Sequence, residues 1–102
     1  MSQEKQALFE RLLPVMVDLY AETADLAQGD GDLQLWYNRG YADGMAQAMR
    51  LAGLSSELDR NGLPAPLSID QGERFLPWGK AYSHGFEMGE GETREVLAGF
   101  GT

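Results

Sequence analysis

The chain has 102 residues, with sixteen acidic and eight basic side chains, a net charge of −8, an apolar fraction of 43% and no cysteine. Such a length and apolar share fit one globular domain and exclude wholesale disorder, and the missing cysteines exclude disulfides and thiolate chemistry. The acidic surface is repelled by phosphate backbones, which disfavours direct nucleic-acid binding and leaves a partner with a basic face, a decoy presenting carboxylates in place of phosphates, or charge kept for solubility.

The opening MSQEKQALFERLL lacks the basic run and uninterrupted apolar stretch of a secretory signal, and no segment reaches the roughly 20 apolar residues of a membrane span. A soluble, cytoplasmic protein is expected.

A first helix is predicted over about 3–28. Ser2 can cap it and Glu4 suits its opening turn. Phe9, Leu12, Met16, Leu19, Tyr20 and Ala27 follow helical spacing, with Leu8, Leu13, Val17 and Ala24 widening the stripe. Pro14 cannot donate to the Glu10 carbonyl, so a kink or a restart is expected there. Asp18, Glu22 and Asp25 make a solvated face, and Gly29-Asp30-Gly31 should stop the helix.

Asp30 or Asp32 caps a second helix over about 32–52, which Gly53 and Leu54 end with a left-handed residue and a hydrophobic lock. The two aspartates superficially resemble a calcium loop, but the required glutamate is replaced by Tyr41. Residues 55–60 suit a short turn closed by Asn61-Gly62, and Leu63-Pro64-Ala65-Pro66-Leu67 should run extended over the surface. Ser68 and Gln71 fit a capping box before another short turn. A third long helix starts near Pro77 and runs to about Ala98, with Gly99 as its stop. No stretch has the period of a strand. The expected fold is one all-α domain of three main helices over residues 1–102.

Two segments repeat at an offset of 41 residues. Leu35, Tyr37, Arg39, Tyr41, Gly44, Met45 and Ala48 correspond to Leu76, Trp78, Lys80, Tyr82, Gly85, Phe86 and Gly89. Residues four apart stack on one helix face, so each copy carries a bulky ridge beside a smooth strip. A glycine inside a helix costs about 1 kcal/mol relative to alanine and persists where close packing offsets it. Gly40, Gly44 and Ala48, continuing to Ala52, are therefore expected to cross Ala81, Gly85 and Gly89, small residues letting two backbones approach. The alternative is that the strips face a second copy, giving a homodimer.

Chemistry is sparse. His84 is the single histidine, and Ser83 beside it points elsewhere on a helix, so no nucleophile–base pair forms and no zinc site is expected. No lysine–serine or lysine–threonine pair follows a glycine-rich loop, so phosphate binding is not expected either. Glu87, Glu90, Glu92 and Glu95 oppose the helix dipole near the C-terminal end, as a solvated face or against a basic partner. No enzyme activity, cofactor or metal is expected. Aromatic and methionine side chains crowd the second and third helices beyond what a small core need hide. Trp36, Tyr37, Tyr41, Met45, Met49, Trp78, Tyr82 and Phe86 are thus the candidate partner-binding residues.

The segment Arg39-Gly40-Tyr41-Ala42-Asp43-Gly44, followed by Trp78-Gly79-Lys80-Ala81-Tyr82, resembles the ribosome modulation factor family, whose members carry an Arg-Gly-Tyr-x-x-Gly helix and then a Trp-x-x-Gly-Trp helix. Arg39, Gly40, Tyr41, Gly44 and Trp78 match, whereas Ala81 and Tyr82 depart from the Gly-Trp pair. That resemblance covers about a third of the chain and implies a helical hairpin. The family is basic and binds ribosomal RNA; this chain is acidic. In size, charge and three-helix layout the chain is also similar to the pseudomonad quorum-sensing antiactivators of the QslA kind. This second resemblance implies binding to the ligand-binding domain of a LuxR-type regulator such as LasR, disruption of its dimer and loss of DNA binding. The readings that follow are a protein-binding antiactivator, a ribosome-associated modulator, or an acidic inhibitor of a nucleic-acid-binding complex.

Overall fold

A computed structural model of the chain describes residues 2–26, 32–64, 66–67 and 69–99, with side chains from Lys5 onward. Its described residues form four α-helices and one 3₁₀ turn, without a strand: α1 (Ser2–Glu22), α2 (Leu33–Leu51), α3 (Ser55–Arg60), the 3₁₀ turn Glu73–Phe75 and α4 (Pro77–Gly99). The expected Gly29-Asp30-Gly31 turn, Ala27 in the first helix, the Ser68 cap and the side chains of Ser2 and Glu4 lie outside the described residues.

The apolar stripe of α1 buries Leu8, Phe9, Met16 and Tyr20 against Ala42, Met45, Ala46 and Met49 of α2, and Leu54, Leu58 and Leu97 close this core. The two helices are antiparallel: Tyr20 meets Asp43 at one end, and Lys5 Nζ donates to the Ala52 carbonyl at 3.2 Å near the other. Of the kink or restart expected at Pro14, the restart does not occur: the helix runs unbroken from Ser2 to Glu22 with Pro14 inside it. Pro14 lies on the exposed face, and Phe9 and Met16, anchored on either side, hold both halves to the core. It ends at Glu22, earlier than expected, because Thr23 Oγ1 donates to the Leu19 carbonyl at 2.8 Å and the chain tightens into turns.

Asp32 caps α2, its Oδ1 accepting from the backbone N–H groups of Gln34 and Leu35. At the other end Gly53 takes φ +90°, its N–H reaching the Arg50 carbonyl while that of Leu54 reaches Met49 at 2.9 Å. These are the two hydrogen bonds of a Schellman stop, with Leu54 buried behind them. Before α4, the capping box is made by Asp70 and Glu73, each accepting from the other's backbone N–H.

Helix α4 lies against α2 along its glycines. A Cβ at Gly40 would stand well inside the 3.0 Å limit from the Tyr82 carbonyl oxygen, and one at Gly44 from that of Phe86. From the other side, a Cβ at Gly85 would strike the Tyr37 carbonyl and one at Gly89 that of Tyr41. Each oxygen therefore sits over a glycine Cα–H, the arrangement of weak C–H···O bonds that contribute about 0.5–1 kcal/mol apiece. Stepping four residues along one helix steps four along the other in the same direction, so α2 and α4 are parallel. The ribosome-factor likeness implied a hairpin; here the chain returns through α3 and the 3₁₀ turn before α4 begins.

The contacts obey a local two-fold relation that pairs Gly40 with Gly85, Gly44 with Gly89, Tyr37 with Tyr82 and Tyr41 with Phe86. All are 45 residues apart, one helical turn beyond the 41-residue sequence repeat. The shared pattern at this spacing is Tyr-x-x-Gly-aromatic-x-x-Gly. Ala48 is buried at the end of the strip and Ala81 is half-buried.

Gly91 provides the internal control, since a Cβ there would meet nothing within 4 Å. Gly85→Ala should destabilise the fold by about 1–3 kcal/mol through overpacking against main chain. Gly91→Ala should stabilise it by up to about 1 kcal/mol through helix propensity. Urea unfolding of the two variants beside wild type measures both; equal effects would contradict the crossing.

Candidate functional site

Asp43 is fully buried in the middle of α2, and four other groups converge on its carboxylate. Tyr20 Oη donates to Oδ1 at 2.9 Å and Tyr82 Oη to Oδ2 at 2.5 Å. Arg39 Nε lies 3.3 and 3.4 Å from the two oxygens, and the Leu67 backbone N–H donates to Oδ2 at 3.1 Å. A buried carboxylate is strongly unfavourable unless paired and hydrogen-bonded. Here one arginine supplies the charge and three neutral donors complete the shell. The Arg39 guanidinium also lies over the Tyr20 ring, 5.0 Å from its centroid.

Every partner comes from a different part of the fold. Arg39 sits one turn before Asp43 on α2, Tyr20 near the end of α1, and Tyr82 on α4, while Leu67 belongs to the proline-rich stretch 63–67 after α3, the strap. Desolvation, reinforced by the Asp43 charge and hydrogen bond, raises the pKa of both tyrosines, so both remain neutral donors. With its oxygens engaged and no solvent access, Asp43 has no face for a substrate. It is a structural tie.

Beside it, Trp36 and Trp78 pack with ring centroids 4.5 Å apart at 36°, joined by Tyr82 in a second core cluster. The aromatic and methionine residues expected to meet a partner divide accordingly. Trp36, Met45, Met49, Trp78 and Tyr82 are buried within the chain itself. The parallel crossing and the Asp43 tie turn them inward, so none exposes more than 9% of its surface, and Met45 and Tyr82 reach it only in the walls of concave regions. Tyr37, Tyr41 and Phe86 are half-buried. Tyr41 Oη donates to Glu92, and burial first, then this bond, pushes its pKa up to about 12. His84 is exposed, its ring edge-on to Tyr37 at 5.4 Å. Among the described residues no group of three or more acidic or histidine side chains converges as a metal would need.

Two concave regions remain. A seam between α1 and α4, about 160 Å³, has Tyr41 and Met45 of α2 among its lining, with Leu12 and Val15 from α1 and Thr93 and Val96 from α4. Val15 and Val96 are 46% and 42% exposed, so the seam is an apolar surface open to solvent. Sequence periodicity missed it, because both valines stand at the edge of their helices' core stripes. The second region is a cleft of about 440 Å³ between the strap and α4, lined by residues including Leu67, Ile69, Arg74, Phe86 and Glu87.

Comparison with protein-family models, curated proteins and solved structures gives no match. No described helix is long and apolar enough to cross a membrane.

Replacing Asp43 by alanine leaves Arg39 buried beside unpaired donors and should destabilise the protein by about 3–5 kcal/mol, read by urea unfolding. For the tyrosines the folded pKa exceeds the unfolded value of 10.0, so the unfolded chain releases protons first as pH rises. Their stabilisation should be complete below about pH 10 and decline above it. The double variant Tyr20→Phe, Tyr82→Phe should be less stable at neutral pH and show a shallower alkaline decline in melting temperature.

Proposed function

We propose that the protein is a small acidic protein-binding module, an antiactivator that docks on the ligand-binding domain of a LuxR-type quorum-sensing regulator such as LasR in the cytoplasm. By occupying the regulator's dimer surface it blocks dimerisation and DNA binding. The observation that carries this reading is the seam: solvent-exposed Val15 and Val96 beside half-buried Leu12, in a surface otherwise rich in carboxylates. Glu92 lines the seam, Asp18 and Glu22 share the Val15 side of α1 by helical spacing, and Glu95 neighbours Val96. An apolar centre with an acidic border suits a protein surface with complementary basic groups and disfavours a phosphate backbone. The likeness in size, charge and helical layout to known antiactivators supplies the class of target.

A ribosomal role has less support. In the motif that resembles ribosome modulation factor, Arg39 pairs with Asp43, and Gly40 and Gly44 form the helix crossing. The fold uses those residues internally, and the net charge of −8 opposes RNA.

Purified chain and regulator ligand-binding domain should form a complex in size-exclusion chromatography and calorimetry. Val15→Asp and Val96→Asp should each weaken it at least tenfold while leaving the melting temperature within a few degrees of wild type. Absence of a complex, or variants that bind like wild type, would contradict the proposal, and co-sedimentation with ribosomes would favour the alternative.

A further inference from the structure

The cleft between the strap and α4 is separate from the seam and carries its own chemistry. Its volume of about 440 Å³ falls in the range of small-ligand sites. Leu67, Ile69 and Phe86 offer apolar wall, and Gln47 and Ser83 offer an amide and a hydroxyl along it. Two opposite charges complete the lining. Arg74 stands in the 3₁₀ turn with its Cα packed beside Gly79, while Glu87 lies eight residues further along α4 and thus about 12 Å along the axis. Neither side chain forms an ion pair among the described residues.

A cation and an anion at that separation, with hydrogen-bonding groups and apolar wall between them, match one ligand class. We infer that the cleft binds a short extended peptide with free termini, its carboxylate at Arg74 and its ammonium at Glu87. At about 3.3–3.6 Å per residue, such a span takes roughly three to four residues. Gln47 and Ser83 are placed to meet its backbone amides, and apolar side chains fit against Ile69 and Phe86. A purely anionic or cationic amphiphile would satisfy one end and face repulsion at the other. The floor is preformed, because Tyr82 and Leu67, which both line the cleft, are both fixed on Asp43, so little ordering opposes binding.

The test uses the full ¹⁵N-labelled chain titrated with the tetrapeptide Ala-Leu-Ala-Leu, alongside its N-acetylated and C-amidated forms. Saturating amide shifts are expected at Ile69, Arg74, Ser83 and Glu87, with each blocked form binding about fivefold more weakly. Arg74→Gln should abolish the effect of amidation and leave that of acetylation; Glu87→Gln should do the reverse. Both residues are exposed, so the variants should keep the wild-type spectrum elsewhere. Shifts that do not saturate or that scatter over the surface would overturn the inference. So would blocked peptides that bind as well as the free one, or variants that leave both effects in place.

Discussion

Main chain meets main chain where α2 crosses α4, and only hydrogen fits in the space a side chain would need. Four glycines, Gly40, Gly44, Gly85 and Gly89, each face a carbonyl of the opposite helix. Much else follows from that approach. It sets Trp78 on Trp36, carries Tyr82 to the buried Asp43, and leaves α1 to cover the other side of α2. Because the crossing is parallel, the chain must travel back the length of the helices before α4 can start. That return is made by α3, the strap and the 3₁₀ turn, and the strap walls the cleft.

The second constraint is electrostatic. A charge at the centre of a small domain destabilises it unless every oxygen is met, and the residues that meet Asp43 are contributed by α1, α2, the strap and α4. A single carboxylate thereby selects one mutual arrangement of four segments, where apolar packing alone would tolerate several. The crossing brings the helices close, and the Asp43 tie fixes their rotation. Gly79 extends the same logic to the start of α4, where a Cβ would collide with the Glu73 carbonyl of the 3₁₀ turn.

Much of this was legible in the sequence. The four-residue spacing of small residues announced a close helix crossing, and Asp32, Gly53 and Pro77 marked helix ends through local chemistry that needs no tertiary context. The direction of the crossing was not legible, since a glycine strip serves parallel and antiparallel helices alike. The pairing offset was also hidden: aromatic and small residues recur every four positions, so alignments at 41 and 45 residues look nearly equivalent until main-chain contacts choose. The burial of Asp43 is not legible, because an arginine and an aspartate four apart on a helix form exposed pairs as readily as buried ones. Its burial depends on Tyr20, Leu67 and Tyr82, which no local pattern connects to it. The number of aromatic residues is plain in the sequence but the face each takes is not, and the fold's interior holds Trp36, Trp78 and Tyr82, more than the helix count implies.

The parallel, glycine-to-carbonyl crossing is tested most directly by proton–proton nuclear Overhauser effects in the ¹³C,¹⁵N-labelled protein. Cross-peaks are expected from the Gly40 Hα protons to the Phe86 amide, from Gly44 to Glu90, and from Gly85 to Tyr41, because these backbone nitrogens lie 2.7–3.0 Å from the sites a Cβ would occupy. Cross-peaks joining Gly40 to the Gly89 turn and Gly44 to the Gly85 turn, with the expected set missing, would mean antiparallel helices and would contradict the account.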